Sequence, residues 1–246
     1  YFTRRGEVKA VDGVSLNVHR GEVFGIAGES GCGKSTLAMS ILRLIKPPGK
    51  IIGGKIIFDG INVLEMSEEE LRNFRWKKVS MIFQGAMNSL NPVHKVGSQI
   101  AEAILTHEKM SKREALQRAE ELLALVGIEK SRVKDYPHQL SGGMRQRVVI
   151  AMAIALDPEL LIADEPTTAL DVVVQRQILE LLMNMQKRFN LSLLFISHDI
   201  STLVDFSDRI AIMYAGRLME IAETKRFLDN PLHPYTKGLI KSLTGF

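Results

Sequence analysis

The stretch from Gly28 to Thr36 reads GESGCGKST and follows directly on the apolar run Val23, Phe24, Gly25, Ile26 and Ala27. It fits G-x-x-x-x-G-K-[ST] and constrains the fold more than any other feature, because it demands a buried strand, a glycine loop and a helix start in succession. Gly28, Gly31 and Gly33 let backbone N–H groups turn inward around a phosphate, with Glu29, Ser30 and Cys32 completing the loop. Lys34 supplies a point charge, Ser35 offers a hydroxyl to Mg²⁺, and Thr36 closes the stretch. The helix opening at Lys34 adds its positive dipole end. A loose pair of glycines makes an ordinary tight turn, but this spacing behind this strand implies a bound nucleoside triphosphate. Cys32 reads as a small space-filling residue, since nothing in phosphate binding requires a thiolate.

Two further stretches carry chemistry. Leu160–Asp171 reads LLIADEPTTALD, in which Leu160 to Ala163 form a buried parallel strand that ends in two acids, where ligands of open α/β sheets belong. Asp164 is placed to hold Mg²⁺ through water, and Glu165 to polarise an attacking water; the bland alternative is a helix cap ahead of Pro166. Leu140–Arg147 reads LSGGMRQR. Ser141, Gly142 and Gly143 precede a helix expected from Met144 to Leu156, and exposed N–H groups there attract phosphate. A glycine-assisted N-cap explains the same residues, Ser being a preferred cap. His198 follows another apolar strand, Leu191 to Ser197, where a lone histidine is ordinarily structural.

With Gln84 in MIFQ and His198 in FISHD added, the order and spacing of these motifs resemble the ATP-binding cassette (ABC) ATPases over nearly the whole chain. The resemblance implies an α/β fold: a P-loop NTPase (RecA-like) core with an N-terminal antiparallel β subdomain and an inserted α-helical signature subdomain. It implies ATP and Mg²⁺ as ligands, with Ser35, Gln84 and Asp164 toward the metal. It makes Glu165 the catalytic base, His198 the residue that holds base, water and phosphate in line, and Gln84 a water ligand that senses the γ-phosphate. Ser141 and Gly143 would complete the site of a second ABC ATPase subunit, identical or related, with Asp171 at the dimer interface. Thr168 stands where the family more often has Ser. The adenine-stacking position falls on Tyr1, Phe2 or Arg5. By the same resemblance, transmembrane permease subunits would dock on the helical insert, with an extracytoplasmic solute-binding protein acting through them.

SLNPVHKVGSQIAE (Ser89 to Glu102) and NPLHPYTKGLIKSL (Asn230 to Leu243) resemble the ATPases of oligopeptide and dipeptide importers, a branch that includes nickel and glutathione systems. His233, Pro234 and Tyr235 carry the tail motif; HPY alone would be a helix-leading turn. The expected organisation is a nucleotide-binding core at 1–85 and 156–228, a helical subdomain at 86–155 and a tail at 229–246. A soluble ABC ATPase acting on DNA or ribosomes and a P-loop kinase are the competing classes; LSGGMRQR disfavours the kinase.

Composition agrees with a soluble intracellular protein, and the resemblance to peptide importers implies a peripheral place at the cytoplasmic face of a prokaryotic membrane. One cysteine forbids an internal disulfide framework. No apolar run reaches the roughly 18 residues needed to span a bilayer, and no signal-peptide pattern is visible, although the chain begins at Tyr1. A net charge of +4 is spread over 32 basic and 28 acidic residues, a mixed surface with no nucleic-acid partner. Local patterns predict a phosphate-loop helix that stops at Pro47 and Pro48, a capped helix over Ser67 to Lys78, the strand Val79 to Phe83 and a capped helix over Ser111 to Gly127. They also predict a helix from about Val172 to Phe189 and a hairpin at Ala215 and Gly216.

Overall fold

A computed structural model describes residues 1–3 and 6–244, with side chains through Ser242. The elements in chain order are β1 (Phe2–Thr3), β2 (Gly6–Glu7), β3 (Val23–Ala27), α1 (Lys34–Ile41), β4 (Ile57–Phe58), β5 (Ile61–Asn62), α2 (Glu68–Phe74) and β6 (Val79–Ile82). There follow α3 (Val96–Leu105), α4 (Lys112–Leu125), α5 (Gly142–Ala153), β7 (Leu160–Asp164), α6 (Val172–Phe189), β8 (Ser192–Ile196), α7 (Ile200–Phe206), β9 (Arg209–Tyr214), β10 (Arg217–Glu223), α8 (Thr224–Asp229) and α9 (Pro234–Thr244). They form two compact units, Tyr1–Arg72 with Ser192–Phe246, and Asn73–Leu191.

In the first unit the strand order is β10-β9-β3-β8. β3 runs parallel to both neighbours, with Val23 opposite Leu193 and Phe24 opposite both Leu194 and Arg209. Every residue of β3 and β8 is buried, which is why both read as unbroken apolar runs and not as alternation. Polar ties fix where β3 begins: the Val23 amide donates to the Asp208 carboxylate at 2.8 Å, and Arg209 pairs with the buried Glu22 at 3.2 Å. β9 and β10 form the expected hairpin, turning through Ala215 and Gly216, both at positive φ (46° and 83°), the backbone that a two-residue turn of this twist requires. β1 with β2 and β4 with β5 are short antiparallel pairs.

In the second unit β6 and β7 pair in parallel, Val79 opposite Leu160 through Ile82 opposite Ala163, so both strands end at the same level. α4 opens on a full capping box between Ser111 and Glu114, and its predicted face of Ala115, Ala119, Leu122, Leu123 and Val126 is buried. α6 spans the predicted residues, capped by Asp171, whose carboxylate accepts from the Val174 amide at 3.0 Å. The segment SLNPVHKVGSQ is held by the buried Gln99, whose amide nitrogen donates to the Asn91 and His94 carbonyls while its oxygen accepts from the Asn91 amide.

Three helices differ in extent from the sequence expectation. The phosphate-loop helix stops at Ile41, well before Pro47, because Arg43 adopts φ 51° and its guanidinium donates to the Met66 carbonyl at 2.6 Å. α2 stops at Phe74; Trp76 turns to φ 72° so that its indole N–H can reach the Met152 carbonyl at 2.7 Å. α5 begins at Gly142, ahead of Met144, and ends at Ala153, before Leu156. Ser141 is its N-cap, so Gly142 and Gly143 form the first turn instead of preceding it. Among the described residues no helix is long and apolar enough to cross a membrane.

Candidate active site

The phosphate loop lies between β3 and α1 in the first unit. Lys34 is buried, 5% exposed, and its Nζ donates to the carbonyls of Gly28 (2.7 Å) and Glu29 (2.8 Å), which hold the ammonium inside the loop that it closes. A burial of this kind is tolerated because the charge is met by carbonyl dipoles. Close approach dictates two of the glycines: a Cβ at Gly28 would sit 2.1 Å from the Met213 carbonyl oxygen, and one at Gly33 would sit 2.0 Å from that of Ala10. Ser30 and Gly31 are exposed at the loop tip, while Ser35 and Thr36 stand half-buried in the first turn of α1. Cys32 is buried and free, with its sulfur against the empty Cβ position of Gly28, as a space-filling residue should be. His198 is exposed just beyond β8, between the buried Ser197 and the α7 cap Asp199; the Ser197 hydroxyl accepts from the Asp199 amide at 3.0 Å. Of the adenine-stacking candidates, Phe2 is 55% exposed, Tyr1 is half-buried with its ring beside Gly49, and Arg5 lies outside the described residues.

The second unit carries Gln84, the acid pair and the signature. Asp164 is the last residue of β7 and only 3% exposed, a carboxylate at the end of an otherwise apolar strand. Glu165 leaves the strand at φ 48°, left-handed backbone unusual for glutamate. Gln84 Nε2 and Thr168 Oγ1 both donate to Glu165 Oε2, at 2.9 and 3.1 Å, so the carboxylate is oriented by two donors. The helix cap considered for this acid is instead Asp171. Thr168 was legible only as a conservative replacement; its bond to Glu165 depends on the turn in which the Thr168 amide also donates to the Glu165 carbonyl, at 3.2 Å.

At the signature, exposed Ser141 accepts from the Met144 amide at 3.3 Å, so it acts as a cap whatever else it does. Gly143 has a packing reason as well: a Cβ there would lie 2.6 Å from Cγ1 of Val174 on α6. Sequence reasoning missed the surroundings of the HPY motif. Pro234 is the first residue of α9, and the Glu220 carboxylate receives the Leu232 and His233 amides at 2.8 and 2.9 Å. Tyr235 reaches Glu29 of the phosphate loop at 3.1 Å.

Comparison with known proteins bears on the same features. A family model described as ABC transporter matches residues 11–168, and one described as oligopeptide/dipeptide transporter, C-terminal region, matches 219–245. The oligopeptide transport ATP-binding protein OppD of Bacillus subtilis is 51% identical over 246 residues, 99% of this chain and 69% of its own length. The dipeptide transport ATP-binding protein DppD of Escherichia coli is 49% identical over 240 residues, 97% of this chain and 73% of its own. Among solved structures, a dimeric post-hydrolysis state of the ATP-binding cassette MJ0796 bound to ADP and Pi gives a TM-score of 0.79 at 31% identity, covering 91% of this chain and 94% of that one. The fold is therefore the α/β fold of the P-loop NTPases in its cassette form. Since the first model spans more than half of the chain and these relatives align along almost all of it, the protein belongs to the ABC transporter family as an ATP-hydrolysing cassette.

Proposed function

We propose that the chain is the ATPase subunit of a prokaryotic importer of di- and oligopeptides, bound at the cytoplasmic face of the membrane to permease subunits and paired with a second cassette. The peptide assignment is carried by one observation: the match to the oligopeptide/dipeptide C-terminal region covers residues 219–245, in addition to the cassette itself. That stretch contains both Glu220 and Tyr235, the residues whose hydrogen bonds hold the tail in place.

In this reading the amides of Gly28 to Gly33 and the ammonium of Lys34 take the triphosphate, and Lys34 exchanges its loop carbonyls for phosphate oxygens. Glu165 accepts a proton from the water that attacks the γ-phosphorus. The new P–O bond forms as the bond to the bridging oxygen breaks, and ADP leaves with that electron pair. Gln84 and Thr168 support the assignment by fixing the rotamer of the base, and His198 holds water and phosphate in line. The oxygen donors that the family resemblance assigns, a hydroxyl, an amide and a carboxylate, are of the type that suits Mg²⁺, a hard cation that binds through one or two carboxylates together with substrate phosphates. Ser35, Asp164 and Gln84 would hold it, and it would neutralise charge on the β- and γ-oxygens.

The test is ATP hydrolysis by the chain reconstituted with its permease in lipid vesicles. Peptide-loaded binding protein should stimulate turnover, and Glu165→Gln should reduce it by at least about 10²-fold. Stimulation by nickel or glutathione in place of peptide would move the protein to another branch, and stimulation by DNA or ribosomes would overturn the transport reading.

A further inference from the structure

We propose that Tyr235 is a positioning residue for the phosphate loop, through which the C-terminal helix α9 holds Glu29 and with it the backbone that receives Lys34. The inference rests on reading Gly28 to Thr36 as the triphosphate site. The phenol O–H donates to Glu29 Oε1 at 3.1 Å. Glu29 is itself the organising residue of the loop, since its carbonyl accepts both from Lys34 Nζ at 2.8 Å and from the Cys32 amide at 3.2 Å. The side chain held by the tail thus belongs to the residue whose backbone sets the loop.

The tail is anchored well enough to act this way. The Tyr235 ring packs against Tyr214 at 4.7 Å between centroids. Next to it Thr236 is wholly buried, and Glu220 of β10 receives the amides of Leu232 and His233. The β9–β10 hairpin that carries Tyr214 and Glu220 frames the loop directly: the Gly216 amide donates to the Cys32 carbonyl at 2.9 Å, and the Met213 carbonyl fills the space beside Gly28. Tail, hairpin and loop are one connected body of hydrogen bonds.

The chemistry gives the contact a purpose. Glu29 is the one acid between Gly28 and Thr36, a carboxylate in a loop built to receive a polyanion. A donor that fixes its rotamer and draws on its charge lowers the repulsion that a free carboxylate would exert on the triphosphate. Burial first, then the bond to Glu29 and its charge, push the Tyr235 phenol up to about 12, so it remains a donor throughout the neutral range.

Tyr235→Phe keeps the ring and removes only the donor. In the nucleotide-free chain, hydrogen exchange at the Cys32 and Gly216 amides should accelerate several-fold while exchange at amides remote from the loop changes less. The Kd for Mg-ATP should rise roughly two- to tenfold, the worth of one hydrogen bond, with KM following and kcat changing less. In a Glu29→Ala background the same substitution should add nothing. Unchanged exchange and Kd in Tyr235→Phe, or an equal effect with Glu29 absent, would overturn the proposal. Lys34→Ala serves as the control on the site itself: a variant that binds Mg-ATP as tightly as the wild type sinks the site reading, whereas the exchange measurement decides on the tether by itself.

Discussion

A side chain at Gly33 has nowhere to go. Its φ of 107° lies where L-residues rarely sit, and its Cβ would stand 2.0 Å from the Ala10 carbonyl oxygen, a backbone atom that cannot swing aside. Gly31 stands at φ 79° with open space around its Cβ position. The two glycines share a motif but not a reason, and a comparison separates them. Gly31→Ala should lower stability by about 1–2 kcal/mol, the cost of left-handed backbone alone. Gly33→Ala should cost about 3 kcal/mol or more, since strain and overlap add. Denaturant midpoints at constant m-value measure both, and equal losses would mean that the Ala10 contact is relieved by movement of the N-terminal segment. The sequence motif shows that glycines are needed here, but not which of them is sterically locked, because the atom that locks Gly33 comes from a segment outside the motif. Glu165, the proposed base, is the same case: the acid pair is legible as two letters after an apolar strand, whereas its φ of 48° and the donors Gln84 and Thr168 are properties of the folded structure.

Within the first unit the Glu220 carboxylate is one of the anchors of the tail, since it receives the Leu232 and His233 amides. Burial alone would raise the Glu220 pKa, yet the amides of Leu232 and His233, the Thr236 hydroxyl and the charge on His233 together bring it below its ordinary value of 4.5. A group whose folded pKa is depressed stabilises above its unfolded pKa and loses that contribution as pH falls toward the folded value. Docking of α9 should therefore weaken on acidification from about pH 4.5 downward, and Glu220→Gln should show a flatter stability profile there. At neutral pH the variant should be less stable by about 1.5–3 kcal/mol, the scale for hydrogen bonds to a charged acceptor. Urea midpoints across the acid range test this; parallel profiles for the two proteins would remove Glu220 from the role. Elements whose signals are local matched the sequence expectation closely: α4 through its Ser111–Glu114 box, α6 from Asp171 onward, and the turn at Ala215 and Gly216. The ends of α1 and α2 did not, because Arg43 and Trp76 are recruited by distant carbonyls that no window around them contains. Tyr235 and Glu29 are 206 positions apart, so HPY could be recognised without its partner being visible.

For the whole molecule the open question is what the signature serves. Within one chain Ser141 caps α5 and Gly143 makes room for Val174, so both residues have reasons to exist without a partner. The proposed cassette pair asks more of them: the exposed N-terminus of α5 should receive the γ-phosphate of a nucleotide held by the opposing copy, as backbone N–H groups at a helix start receive anions. Dimerisation must then depend on ATP, and a swing from mostly open to mostly closed needs about 5 kcal/mol of differential binding. Val172 and Val173, 80% and 68% exposed at the start of α6 after Asp171, are apolar residues that such a contact would cover. In a Glu165→Gln background, which should trap unhydrolysed nucleotide, Mg-ATP but not ADP should shift sedimentation from monomer to dimer. Adding Ser141→Arg should abolish the shift while the monomer still binds nucleotide, because a bulky side chain then occupies the approach to the partner's phosphate. Loss of the cap costs only about 1 kcal/mol, and Ser141→Ala, which loses the cap without adding bulk, should retain most of the shift. Full dimerisation of the Ser141→Arg protein would overturn the head-to-tail arrangement and leave Ser141 as the cap that its hydrogen bond to Met144 already makes it.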